Sequence, residues 1–141
     1  MAAGASAPPR YKQATISSDG VLSVANTNDD GTTGTYVDLH TSSGNDDEIE
    51  AVEFFADAAM TINIIRIFVY DGSTAALIPG EGFIIVPAVT PVLTEPRIAN
   101  WQRRVVFSKP ILLPTSSHVL RLNIHVGETV RCRAIGRKYA A

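Results

Sequence analysis

The sequence predicts an all-β protein: a two-sheet β-sandwich, jelly-roll-like, with an extended N-terminal arm. Three observations carry that expectation. Short runs of alternating or β-branched apolar residues recur along the 141 residues. Clusters of Gly, Pro, Asn, Asp and Ser divide them at short intervals, the pattern of all-β chains. A proline-rich stretch joins two of the runs, which suits a Greek-key crossover better than a simple meander. No internal repeat of solenoid or propeller period is visible.

The chain divides into an arm, residues 1–12, and a sandwich domain, residues 13–141. The arm opens with small, uncharged, proline-bearing residues that bury too little apolar area to offset their own ordering entropy. It is flexible unless a partner orders it, and Pro8, Pro9, Arg10 and Tyr11 are its candidate partner-binding residues. From residue 13 onward, 14–17 and 21–25 read as strands flanking a Ser18-Asp19-Gly20 turn. Residues 26–34 are a loop. Residues 35–41 alternate, with Thr35, Val37 and Leu39 on one face and Tyr36, Asp38 and His40 on the other.

Residues 42–47 form another loop, and 48–60 stay ambiguous. Ile49, Val52, Phe55, Ala56 and Ala59 recur near helical spacing, whereas Glu50, Val52 and Phe54 alternate as in a strand. Residues 61–70 are the clearest strand. Ile65, Ile67 and Val69 share one face, and apolar residues on the other face as well predict a strand covered on both sides, or one whose outer face meets another subunit. Asp71-Gly72 predicts a two-residue hairpin pairing Val69 with Thr74, Ile67 with Ala76 and Ile65 with Ile78. Pro79-Gly80 and Gly82 turn the chain into a strand at 83–86. An extended, proline-bearing connection follows, with short strands at 104–107 and 111–113 around Pro110. At the end, Leu120, Leu122, Ile124 and Val126 alternate inward, as do Val130, Cys132 and Ala134. A three-residue loop, Gly127-Glu128-Thr129, then predicts a hairpin pairing Ile124 with Cys132.

Composition narrows the function. Twelve basic and fourteen acidic residues leave a formal charge of −2, without the basic excess of a nucleic-acid binder. Cys132 is the only cysteine, so neither an intramolecular disulfide nor a cysteine zinc site is expected. The first ten residues lack a basic n-region and an apolar h-region, so no secretory signal is expected. The longest apolar runs fall short of the ~20 residues of a membrane helix. A soluble protein made in a cytoplasm follows, with no nucleic-acid or membrane partner.

Several stretches together carry a family resemblance. Ala25-Asn26-Thr27-Asn28 precedes Asp30-Gly31-Thr32 and Gly34-Thr35, and Ile65-Arg66-Ile67-Phe68-Val69 ends on Asp71-Gly72. Val86-Pro87-Ala88-Val89-Thr90-Pro91, Trp101, Leu112-Leu113-Pro114, Gly127-Glu128-Thr129 and Ile135-Gly136 complete it. From about Ala25 to Tyr139 the chain resembles small proteins of tailed-phage structural gene modules, the capsid decoration and minor head or tail components. It departs from their pattern at Thr33, at 43–47 and at 56–60. The resemblance implies a virion protein, on the capsid surface, and names no active site.

Candidate chemistry is sparse. His40, His118 and His125 stand at no short ligand spacing with another ligand type. Glu48 and Glu50 would share a strand face about 7 Å apart, a spacing that any strand with alternate glutamates shows. No Gly-x-Ser-x-Gly elbow, phosphate loop or Gly-x-Gly-x-x-Gly occurs. Neither catalysis nor a cofactor or metal is expected. Arg121, Arg131 and Arg133 are expected on one outer face of the last hairpin, a basic stripe that could meet an acidic surface. Trp101 reads equally as a core plug or an interface anchor. Cys132 is expected to be buried.

The function these readings point to is a capsid decoration (cement) protein, a homotrimer whose partners are itself and the major capsid protein. A tail or head-fibre module binding host-surface carbohydrate is the alternative; it needs clustered exposed aromatics, for which Tyr36, Tyr70 and Trp101 are the candidates. A small esterase or glycosidase is a third reading, requiring a polar pocket with a perturbed ionisable group.

Overall fold

The computed structural model describes residues 12–56, 58–88 and 101–139. The arm residues Pro8, Pro9, Arg10 and Tyr11, and the prolines at 91 and 96, lie outside the described residues. Every regular element among those described is a strand: β1 (Lys12–Leu22), β2 (Val37–Thr41), β3 (Asp47–Ala56), β4 (Asn63–Tyr70), β5 (Ala75–Leu77), β6 (Phe83–Val86), β7 (Trp101–Leu113), β8 (Val119–Ile124) and β9 (Val130–Tyr139).

They form two antiparallel sheets packed as a β-sandwich. The four-stranded sheet runs β1-β9-β3-β7, and the five-stranded sheet runs β2-β8-β4-β5 with β6 also on β4. β5 and β6 lie along the same strand, one against 68–70 and the other against 63–66. They act as one interrupted edge strand, pinched out at 79–82, where Ile67 N–H donates to Gly82 O (2.7 Å) and Ile78 N–H donates to Ile67 O (3.1 Å). Strands far apart in the chain therefore lie side by side: β1 with β9, β2 with β8, β3 with β7. The core between the sheets holds Phe54, Ile49, Ile65, Ile67, Leu120, Leu122 and Ile124, each wholly removed from solvent.

The ambiguous segment is a strand, and its helix-like spacing has a physical cause. Both ladders of β3 shift register between Ile49 and Ala51. Glu50 is the extra residue of a bulge, which switches the buried set from Asp47 and Ile49 to Val52, Phe54 and Ala56. Ile49 and Val52 thus point the same way although three residues apart. Opposite the bulge sits Gly136, where a Cβ would meet the Glu48 carbonyl oxygen at 1.9 Å; only glycine lets β9 come so close.

Five expectations are corrected. Ser18-Asp19-Gly20 is no turn, since β1 continues through it in register with β9 from Ala134 to Cys132. The Asp71 loop has four residues, pairing Tyr70 with Ala75 and Val69 with Ala76. Asp71 is the reason: its carboxylate accepts from the amides of Ser73 (2.9 Å) and Thr74 (2.7 Å) and so closes a wider turn. The two short strands around Pro110 are one edge strand, β7, whose residues 107–110 form a bulge opposite Glu50.

The final hairpin does not form. β8 pairs with β2 and β4, while β9 pairs with β1 and β3, so the chain crosses between sheets after Ile124. Asn63, almost fully buried, secures the crossing: its Nδ2 donates to Val126 O and its Oδ1 accepts from Val126 N–H. The inward alternation of 120–124 and 130–134 holds, with the two sets on facing sheets, but Val126 is exposed. Lastly, β2 shifts register between Asp38 and His40. The extra residue, Leu39, turns His40 away from the outward face shared with Asp38 and sets it opposite the buried Leu120.

The prediction of a β4 covered on both faces is met from within the chain. The 26–36 loop lies over its outer side, where Tyr36 packs edge-on against Phe68 (5.7 Å, 86°). Gly31 is buried there, and an added Cβ would fall 2.3 Å from that of Ala75.

Candidate functional site

The predicted arginine stripe is split. Arg121 lies on the outer face of the five-stranded sheet and Arg131 and Arg133 on that of the other, because β8 and β9 belong to different sheets. Arg121 is held in place by Asp38 (2.8 Å) and Gly31 O (3.1 Å), with its guanidinium 4.0 Å over the Tyr70 ring and 5.6 Å from that of Tyr36. Trp101 opens β7 opposite Ala56, half-buried, its ring 6.2 Å from Phe54 against the core.

The outer face of the four-stranded sheet carries organised chemistry. The strand registers stack its outward side chains into rows. One row reads Val21, Arg131, Phe55, Gln102. The next reads Asp19, Arg133, Glu53, Arg104, a ladder of alternating sign in which Arg133 bonds Asp19 (2.8 Å) and Arg104 approaches Glu53 (3.6 Å). A third holds Ser17, Ile135, Ala51 and Val106. Further along, Arg137 pairs with the bulged Glu50, and Tyr139 donates to Glu48 (3.2 Å). Asp19 keeps the Arg133 guanidinium more firmly charged than usual.

Phe55 divides this face into two shallow depressions. One, about 560 Å³, is lined by Asp19, Gly20, Val21, Arg131, Cys132 and Arg133 with Phe55; the other, about 260 Å³, by Glu53, Gln102, Arg103 and Arg104 beside it. Cys132 contributes its backbone side of the strand, while its thiol sits in the core, its pKa pushed up to about 12 by burial. An aromatic flanked by valine, ringed by arginines and acids, has the composition of a protein-docking surface. Sequence reading found Arg131 and Arg133 but missed Phe55, Val21, Glu53 and Arg104. Only Phe55 carried a local signal, as an apolar residue on the polar parity of β3.

One constellation has catalytic composition. Ser18 Oγ lies 2.8 Å from His40 Nδ1, and His40 Nε2 lies 2.8 Å from Asp47 Oδ2. Asp47 has no exposed surface. Burial acts to raise its pKa, but the Ser43 hydroxyl (2.5 Å), His40 and the Ser43 amide (3.0 Å) outweigh that and hold the carboxyl below its usual range. The three groups come from β1 and β3 of one sheet and β2 of the other, so they tie the two sheets together. Ser18 sits in an unbroken ladder opposite Ala134, not on the exposed, strained turn that a nucleophilic serine occupies. We read the trio as a cross-sheet clamp. The other histidines are elsewhere, His118 on Thr115 (2.7 Å) and His125 on Arg66 (3.2 Å). Among the described residues no three His, Cys, Asp or Glu side chains converge as a metal site.

No protein-family model matches this sequence, and neither a curated protein nor a solved structure matches it.

Proposed function

We propose that this chain is a virion structural protein of a tailed bacteriophage, a capsid decoration protein that cements the head by binding the major capsid protein. The strand order carries the reading. The two-sheet sandwich, with β1 beside β9, β2 beside β8, β3 beside β7 and β4 beside β6, supports a jelly-roll reading, an architecture used by viral capsid and lectin domains. The resemblance along residues 25–139 supports the same conclusion. The outer face around Phe55 is the adhesive surface: Phe55 and Val21 supply apolar contact, and the arginine–carboxylate rows fix register and exclude wrong partners. The protein acts as a homotrimer on the capsid surface after synthesis in the host cytoplasm, performs no reaction and needs no cofactor. Its work is to hold subunit boundaries together against packaged DNA.

The test is stripping and add-back. Particles lacking the protein should lose resistance to heat or chelator, and added wild-type protein should restore it. Phe55→Ala and Arg131→Ala proteins, folded by their melting curves, should bind shells at least tenfold more weakly, as loss of a hot spot worth ~1.4 kcal/mol or more implies. Unchanged particle stability, with no density for the chain on the shell by cryo-EM, overturns the proposal.

A carbohydrate-binding fibre module is the second reading, favoured by one observation: the fold brings Tyr36 and Tyr70 together around Arg121. Binding on a glycan array that Tyr70→Ala abolishes would favour it over the capsid reading.

A further inference from the structure

The charge row on the outer face of the four-stranded sheet is self-complementary. Across β1, β9, β3 and β7 it reads Asp19, Arg133, Glu53, Arg104, so its signs run minus, plus, minus, plus. Reversed end to end, they run plus, minus, plus, minus. A second copy laid face to face about a two-fold axis parallel to the strands, between β9 and β3, presents that reversed row. Such an axis exchanges β1 with β7 and β9 with β3 while keeping each row level. Arg133 then meets Glu53 of the second copy, Arg104 meets its Asp19, and every contact in the row joins opposite signs. The four side chains are open to a partner, 67%, 47%, 23% and 54% exposed in row order. Within one copy Arg133 bonds Asp19 (2.8 Å) and Arg104 approaches Glu53 (3.6 Å), which holds the row in place before a partner arrives.

The flanking rows fit the same axis. Val21, Arg131, Phe55, Gln102 brings Arg131 over the Phe55 ring of the second copy, a cation–π contact. Ser17, Ile135, Ala51, Val106 brings Ile135 onto Ala51 beside the axis. Arg137 and Glu48 are ladder neighbours on β9 and β3, so each meets the other's counterpart. Other placements fail. An axis across the strands sets Arg133 on Arg133 and Glu53 on Glu53, and an axis moved onto β3 sets Glu53 on Glu53 and Arg133 on Arg104; like charges so placed repel. The size is sufficient. With strands ~4.8 Å apart rising ~3.3 Å per residue, four strands around the ten-residue β3 and β9 present about 600 Å². Two such faces bury about 1,200 Å², the lower end of specific interfaces.

We propose that this face pairs two copies of the chain about that axis. Phe55, Ile135 and Val106, the last 61% exposed, supply apolar contact, and the alternating charges select the axis and its position. The pairing takes the face that the capsid reading gives to the shell but does not rest on that reading; its test needs no shell, so either can fail alone.

The experiment follows the full chain by sedimentation equilibrium, wild type against Arg133→Glu and Glu53→Arg, each shown to be folded by its melting curve. Wild type should reach twice the mass of either variant. Each reversal sets like charges opposite one another at both copies of the contact, so each variant alone should self-associate about tenfold more weakly or worse. Mixed in equal amounts, the two variants complement one another. The carboxylate introduced at position 133 of one faces the guanidinium introduced at position 53 of the other, while the second contact keeps its natural Arg133 and Glu53. The mixture should therefore regain the wild-type mass, which no repair of either variant's own fold would produce. The same mass for wild type and both variants at about 100 µM, well above the µM Kd that weak interfaces of standard size show, overturns the proposal. Variants that lose association and do not regain it on mixing overturn it as well.

Discussion

Gly136→Ala is the sharpest test of the bulge on which β3 is built. The new methyl carbon would stand 1.9 Å from the Glu48 carbonyl oxygen, 2.9 Å from its carbon and 3.0 Å from Ile49 Cα. All three are backbone atoms, so no rotamer change relieves the clash. Ordinary contact begins near 3.4 Å, so β3 and β9 must part locally by about 1.5 Å. That separation breaks ladder hydrogen bonds, whose limit is near 3.2 Å. Two lost bonds cost about 2 kcal/mol, and the overpacking itself costs about 1–3 kcal/mol. The stiffer unfolded chain returns about 0.5–1 kcal/mol. The net is a loss of about 2–4.5 kcal/mol. In urea, with a slope near 2 kcal/mol/M, the midpoint should fall by about 1–2 M at unchanged slope. A fall of less than about 0.5 M would refute the inference that a close backbone approach, rather than chance, demands glycine here.

The remaining predictions concern single side chains. Asp47→Asn should cost about 2–3 kcal/mol by breaking the bonds from Ser43 and His40 to a fully buried carboxylate; a denaturation midpoint within error of wild type would show that the clamp carries no load. A fluorophosphonate probe should leave Ser18 unmodified, and a mass-detected adduct there would overturn the structural reading of the Ser18-His40-Asp47 trio. Iodoacetamide should alkylate Cys132 only as the protein unfolds, since the thiol is buried and its pKa stands at about 12; rapid labelling of the native protein would contradict the core placement. Asp30 is held well below the usual carboxylate range by the Thr33 hydroxyl and the Thr33 and Thr32 amides, and Asp71 by the amides of Thr74 and Ser73 and the Thr74 hydroxyl. Both folded-state values lie below the unfolded value near 3.9, so their contribution is present above about pH 4 and is lost as pH falls through the folded values. Their carboxyl carbon-13 shifts should remain those of the ionised form at about pH 3, and midpoints near 4 would contradict the turn geometry.

The sequence by itself determined the chain's all-β class, the inward alternation of β8 and β9, the two-sided burial of β4 and the burial of Cys132. Each is a local property: period-2 spacing and β-branched content decide which side chains face a common interior, whatever strand lies alongside. What it could not reveal was which strand pairs with which. Ile124 and Cys132 point into the core in either arrangement, and only the pairing of Ile65 with Ile124 and the side-chain bonds of Asn63 to Val126 draw β8 into the other sheet. That one decision separates Arg121 from Arg131 and Arg133, and it dissolves the predicted stripe.

Bulges were hidden for the same reason. One extra residue at Glu50 or Leu39 leaves no mark in composition, yet it reverses which parity is buried, turning His40 inward and Phe55 outward. The surface chemistry follows from those choices: the charge ladder around Phe55 is a cross-strand juxtaposition of residues distant in the chain. Local periodicity fixes the inside of a strand, but only the tertiary register fixes its neighbours, because pairing energy depends on partners that the linear sequence does not place together.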